Sequence, residues 1–255
     1  LIHSTAIIDP NARLADGVEV GAFSVIGPDV EIGPDCIVGP HTLIKGPTTM
    51  GAGNRIFQFA SIGEDCQDKK YNGEPTRLVI GDNNIFREGV TVHRGTVQDR
   101  GLTAIGSNNL FMAYAHVAHD CVIGNNCIMA NQATLGGHVT IGDYAILGGL
   151  CAVHQFCHVG AHAMCGGGSI ITKDIAAYVM VSGNPAKTHG INAEGLKRRG
   201  FDSEAISALR DAYKRVFRSR QTLAQVLEQL ESQTLAPEVQ VFVDSLRASS
   251  RGITR

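Results

Sequence analysis

The sequence predicts a mainly β fold, a parallel β-helix of hexapeptide repeats followed by a C-terminal α-helical domain. Three observations predict it. An apolar residue recurs at every sixth position through most of the first 176 residues. Glycine is abundant, at 30 of 255 residues, without any low-complexity tract, which signals many tight turns. After Asn184-Pro185 the six-residue pattern gives way to helical spacing.

The repeat comes first in chain order. Taken six at a time, hexads run from Ile2 to Gln67, resume at Ile80 for three units, and run again from Ile105 to Ala176. Their first position is apolar in all 26 and is Ile, Leu or Val in 21. Six residues hold one short strand and one turn, and three such units close a triangular coil of about 18 residues. Successive coils stack at the strand spacing of about 4.8 Å. First-position side chains then line an inner apolar column. Glycine follows the apolar residue in 14 hexads and is expected to serve the tight corner.

The cysteines obey the same frame. Cys36, Cys66, Cys121, Cys127, Cys151 and Cys157 all take the fifth position, and Cys165 a first position. Elsewhere the fifth position holds small residues such as Ala6, Ala60 and Thr96, so these thiols read as small core side chains. Their spacing fits no zinc motif, and seven is an odd number for a disulfide framework. A reducing cytoplasm suits them.

Two segments interrupt the repeat: residues 68–79, polar with Gly73 and Pro75, and residues 98–104. Excursions from a solenoid are frequent sites of function, and as frequently tolerated surface insertions. The β-helix is expected over residues 1–189 and the helical domain over 190–255. In the tail, Asp202 or Ser203 caps a helix with Ile206, Leu209, Tyr213, Val216 and Phe217 on one face. Thr222 and Gln225 form a capping-box pattern, and Pro237 opens a third helix bearing Phe242 and Leu246. Such a tail is expected to close the prism end against strand addition.

Composition excludes several classes. A formal net charge of −2 argues against bulk nucleic-acid or membrane binding. No apolar run approaches the roughly 18–20 residues of a membrane span, and no secretory leader is evident. No phosphate-cradling loop or dinucleotide fingerprint is present, so no cofactor is expected.

The histidines carry the chemistry. His119, His138 and His154 lie in hexads beginning at Val117, Leu135 and Val153, each one coil above the last. His93 joins this stripe if the second interruption is looped out, and His116 lies beside it. A lone His is usually structural, but an imidazole stripe on one face is hard to explain by packing. Two readings compete. One is a metal site, as in the gamma-type carbonic anhydrases, where three His bind metal between subunits. The other is acid–base catalysis on an alcohol, with one neutral His taking a hydroxyl proton. The polar loop and the basic tail favour the second. A non-catalytic solenoid that binds a partner is the reading from another class.

The segments YAHVAHDCVIGNNCI, QDKKYNGEPTR, VTVHRGTVQ, AVHQFCHVGAH and NAEGLKRRGF resemble the UDP-N-acetylglucosamine 3-O-acyltransferases of lipid A biosynthesis, from the first repeats to the terminal SRGITR. The left hand of the coil, which breaks the usual crossover rule, is implied by the hexapeptide-repeat resemblance and not by spacing. The resemblance implies transfer of an (R)-3-hydroxyacyl group from acyl carrier protein to the 3-hydroxyl of UDP-N-acetylglucosamine, in a cytoplasmic homotrimer without a metal. It makes His119 the general base, Asp120 its orienting carboxylate and the Gly137 N–H the oxyanion donor. Asp68, Lys70, His116 and His138 would hold the glucosamine, with Gln67, His154 and Gln155 as further contacts. Asn192, Glu194, Arg198 and Arg199 match the nucleotide-binding segment; without the resemblance, Lys197-Arg198-Arg199 reads as a solvated helix face. Lys69 departs from the family pattern by adding a charge beside the sugar site. Gly167 would leave the acyl groove open, which implies a long chain such as 3-hydroxymyristoyl.

Overall fold

The computed structural model describes all 255 residues. Twenty-seven short strands form three sheets of nine, eight and ten strands, and consecutive strands fall in different sheets until the last two, which share one. All ladders are parallel except one, so the chain winds as a three-sided coil. The register proves the repeat. Ile26 pairs with Ile44, Ile44 with Ile62, Val117 with Leu135 and Leu135 with Val153, always first position on first position. These side chains and their equivalents form the apolar core, with Ile26, Ile44, Ile62, Val117 and Leu135 fully buried. At the N-terminal end Leu1, Ile2 and Ile7 stay exposed, because the first coil has no neighbour on its outer side.

Both interruptions leave the ladder in register: Ile62 pairs with Val92, and Val92 with Val117. Each excursion ends sooner than the sequence suggested. Arg77–Ile80 and Leu102–Ile105 are strands paired with each other, so the last residues of both segments belong to the sheet.

The glycine expectation is corrected. The left-handed corner falls at the fourth position of the hexad, not the second. Asp35 (φ 57°), Asn126 (φ 58°), His138 (φ 61°) and Phe156 (φ 66°) occupy it. The second position needs glycine for another reason: a Cβ on Gly33 would lie 2.6 Å from the backbone of Gly51, and one on Gly142 2.6 Å from that of Ala161. At these glycines the stacked coils come too close for a side chain, whereas other coils leave room for Lys45 and His154 at the same position. The fifth position also holds more than small residues. Buried Asn54, Asn84 and Asn109 form a ladder in which each side-chain oxygen accepts the backbone N–H one coil on.

The last prism strand, Val179–Ser182, turns back into the antiparallel strand Lys187–Ile191. Four helices follow: α1 (Ala193–Arg198), α2 (Ser203–Arg218), α3 (Leu223–Glu231) and α4 (Pro237–Arg247). Asp202 caps α2, Thr222 and Gln225 complete the capping box of α3, and Pro237 stands at the start of α4. The one-turn helix α1, capped by Asn192, has no counterpart in the sequence reading. Buried Asp174 ties the chain end to the final coil, accepting from the Ser249 hydroxyl and from the Ser250 and Arg251 N–H groups. No helix is long and apolar enough to cross a membrane.

Candidate active site

The site grows from the parallel register of one sheet. Strands Thr91–His93, His116–Val117, Thr134–Leu135 and Ala152–Val153 pair side by side. Two residues beyond each inward valine or leucine, the same register aligns His119, Gly137 and Gln155. One residue further it aligns Asp120, His138 and Phe156 at the left-handed corner.

His119 Nδ1 lies 2.9 Å from Asp120 Oδ2. Asp120 is 1 % exposed and also accepts from the Thr96 N–H at 2.9 Å and the Thr96 hydroxyl at 2.7 Å. Burial alone would raise this carboxyl, but the bonds from His119 and Thr96 outweigh it and hold it below the usual range. A carboxylate acceptor puts the His119 proton on Nδ1 and leaves Nε2 with a lone pair. That side of the ring lies over Gly137, where a Cβ would come within 2.5 Å of Nε2. Gly137 is therefore needed so that the imidazole can cover it, and its N–H donates to no group of the chain.

The histidine stripe resolves into pairs. His138 meets His119 edge to face at 5.0 Å and stacks on Phe156 at 4.3 Å, while its Nδ1 lies 3.0 Å from Asp99 Oδ2. His116 binds the Thr91 hydroxyl at 2.7 Å and meets His93 edge to face at 5.0 Å. His93 is 3 % exposed, and burial followed by the neighbouring His116 pushes it down to about 4, so it is a neutral packing residue. The ring of exposed His154 lies 3.1 Å from the Gln155 carbonyl and meets no other side chain in a hydrogen bond.

Among candidate metal ligands, His119, Asp120 and His138 bring their donor atoms within 4.8 Å of one another. Asp120 is already engaged by three donors, so the trio is built as a hydrogen-bond network and not as an open ligand set. The thiols are buried, and burial pushes Cys121 and Cys127 up to about 12, which suits core packing and not nucleophilic attack.

The loop residues Gln67, Asp68 and Lys70 leave the same sheet one coil before His93, after strand Ser61–Glu64. Asp68 Oδ1 accepts the Lys70 N–H at 2.9 Å, which turns the loop. Lys69 is exposed. Sequence reasoning missed the residue that fastens this loop. Arg94, 6 % exposed, donates to the Gly63 carbonyl at 2.6 Å and the Tyr71 hydroxyl at 3.0 Å, and pairs with Asp65. Its only signal was an arginine at a hexad position otherwise facing a turn.

The remaining sequence-predicted residues lie elsewhere on the prism. Asn192, Glu194, Arg198 and Arg199 sit on or beside α1, against the corner formed by Tyr144, His162 and Tyr178. Asn192 caps α1 and donates to the His162 carbonyl; Arg199 donates to the Tyr144 carbonyl at 3.0 Å. Glu194 pairs with Lys197. Gly167 flanks the third corner, next to Gly168 (φ 69°).

Residues 174–254 match the family model described as "Udp N-acetylglucosamine O-acyltransferase; Domain 2", and residues 11–46 and 103–137 match that of the bacterial transferase hexapeptide. An acyl-[acyl-carrier-protein]–UDP-N-acetylglucosamine O-acyltransferase of Stutzerimonas stutzeri is 59 % identical over 100 % of this chain and 99 % of its own. The chain belongs to this acyltransferase family. The relative from Ectopseudomonas mendocina is 60 % identical with the same coverage. The solved LpxA structure of Acinetobacter baumannii superposes with a TM-score of 0.98 at 51 % identity, covering both chains in full. The family's fold is the left-handed parallel β-helix expected from the sequence. Neither the metal-dependent hydratase nor the pure binding module finds support among these relatives.

Proposed function

We propose that the protein transfers an (R)-3-hydroxyacyl group from acyl carrier protein to the 3-hydroxyl of UDP-N-acetylglucosamine, in the cytoplasm, as a homotrimer. The observation that carries this reading is the His119–Asp120 pair beside the free N–H of Gly137. His119 Nε2 takes the proton of the sugar hydroxyl as its oxygen attacks the thioester carbonyl. Asp120 supports the imidazolium that forms, and the Gly137 N–H receives the oxyanion. Collapse breaks the carbon–sulfur bond, and His119 returns its proton to the leaving thiolate. Asp68, Lys70, His116 and His138 hold the glucosamine, with Gln67, His154 and Gln155 beside it.

The same geometry supports the trimer. Asn192, Glu194, Arg198 and Arg199, the candidate nucleotide ligands, stand at a different corner from His119, so one chain does not close the cleft alone. In a three-fold assembly the corner of one subunit faces the next, and the arginines reach the diphosphate across that boundary. Gly167 likewise meets the acyl tail from a neighbouring subunit. Gly168, not Gly167, carries the positive φ, and a Cβ on Gly167 would meet the Gly149 backbone, nearest at its carbonyl oxygen at 3.3 Å. The turn therefore leaves Gly167 free to serve as an open groove end.

The test is transfer from acyl carrier protein loaded with 3-hydroxyacyl chains of graded length, with the oligomer measured by light scattering. Transfer that prefers long chains, by a trimer, is the expected result. No transfer to UDP-N-acetylglucosamine from any donor would overturn the reading.

A further inference from the structure

His138 carries a partner that the family resemblance does not supply. Its Nδ1 lies 3.0 Å from Asp99 Oδ2, in the segment that interrupts the hexads. His119 has the same arrangement, with Asp120 Oδ2 at 2.9 Å from Nδ1. Each imidazole of the edge-to-face pair thus has its own carboxylate on the same ring nitrogen.

The segment that presents Asp99 is not a free loop. At its base, Thr96 gives both its N–H and its hydroxyl to Asp120. At its exit, the Thr103 hydroxyl accepts the Asp120 N–H at 2.8 Å. Between them the Asp99 and Gly101 N–H groups both return to the Thr96 carbonyl, and Gly101 takes a φ of 64° to close the turn. Leu102–Ile105 then enters the sheet. Asp120 therefore clamps both ends of the turn whose tip holds the partner of His138. The two imidazoles are connected through one circuit of hydrogen bonds, His119 to Asp120 to Thr96 to the turn to Asp99 to His138.

We infer that Asp99 is a positioning residue for the acyl transfer: it fixes the Nδ1–H tautomer and the ring plane of His138, whose Nε2 lies 3.9 Å from Asp120 Oδ2, on the side of the ring nearer His119. The inference rests on the acyltransferase reading for its kinetic consequence, but the tautomer itself does not. A carboxylate accepts and never donates, so it selects the Nδ1–H form whether or not the ring is charged. Clamping the turn at both ends removes the entropy that a flexible loop would lose on ordering His138. Asp99 acts through His138 and need not touch substrate.

Two substitutions test this. In Asp99→Ala the KM for UDP-N-acetylglucosamine should rise roughly 3–10-fold, the range one hydrogen bond supplies, with kcat changed by less than about twofold. Asp99→Asn keeps an acceptor oxygen but, because its amide also donates, no longer enforces one tautomer, so it should recover only part of the lost affinity. NMR of histidine-labelled protein reads the tautomer directly. His138 should hold its proton on Nδ1 in the unaltered protein and become a mixture in Asp99→Ala, without change at His119. An unchanged KM, or an unchanged His138 tautomer in Asp99→Ala, would overturn the inference. Absence of acyl transfer by the unaltered protein would instead overturn the proposed function, with the NMR result still deciding the role of Asp99.

Discussion

The corner that holds His119 and the corner that holds His162 are built from the same hexad, yet they do opposite things with an imidazole. At the first, a buried carboxylate takes Nδ1, and the far nitrogen faces a glycine. At the second, His162 is stacked between Tyr144 at 4.8 Å and Tyr178 at 5.3 Å, and its Nδ1 is buried without a partner. Burial, then the charge of Arg199, pushes His162 down to about 4. It stays neutral and serves as a flat spacer between two rings. The difference teaches that place within the corner counts: His119 is the third residue of its hexad, beside a carboxylate at the fourth, whereas His162 is itself the left-handed fourth residue and stacks on the rings one coil away.

Removing the base breaks the comparison most severely. His119→Ala should lower turnover by roughly 10²–10⁴-fold, the usual worth of a general base, with folding and oligomer unchanged. Near-normal turnover in steady-state assays would take His119 out of the mechanism. Asp120→Asn is the next largest. The amide keeps the shape but no longer enforces one tautomer, so turnover should fall on the order of 10²-fold. Because Asp120 also clamps the 96–103 turn, its melting temperature should fall as well, and a calorimetric scan separates the two effects.

A smaller change extends the comparison to the third corner. Gly167→Met adds a flexible side chain where the backbone does not require glycine. The preferred donor should shift to shorter acyl chains while the KM for the sugar nucleotide is spared. An unchanged chain-length profile in a folded trimer would leave Gly167 without a role in the groove.

The smallest effect belongs to His162. Its folded value lies near 4, below the unfolded value near 6.5, so the unfolded chain takes up this proton first. The protein therefore loses stability as pH falls from about 6.5 to about 4, and gains nothing from this group above 6.5. His93 adds a second proton to the same window. His162→Phe, which keeps the stack, should make the decline of melting temperature over that window shallower by one proton and leave turnover at neutral pH within about twofold. An unchanged slope would mean that His162 already carries its charge in the folded state.

The sequence alone determined the three-sided solenoid, because the inward position recurs at a fixed local interval and needs no distant residue to define it. It also determined the tail helices whose caps lie within four residues of the elements they start, such as Asp202 and Thr222. The stripe of His119, His138 and His154 was legible for the same reason, since stacking follows from counting. Tertiary structure decided what counting does not reach. Close approach of stacked coils, and not turn geometry, explains the second-position glycines. Arg94 and Asp99 find their partners across 23 and 39 residues of chain, so no local pattern announces them. His93 lies in the same stripe as the others but is buried and neutral. Where His119 and Arg199 sit relative to each other was likewise outside the pattern, because the corner a residue occupies depends on every insertion before it.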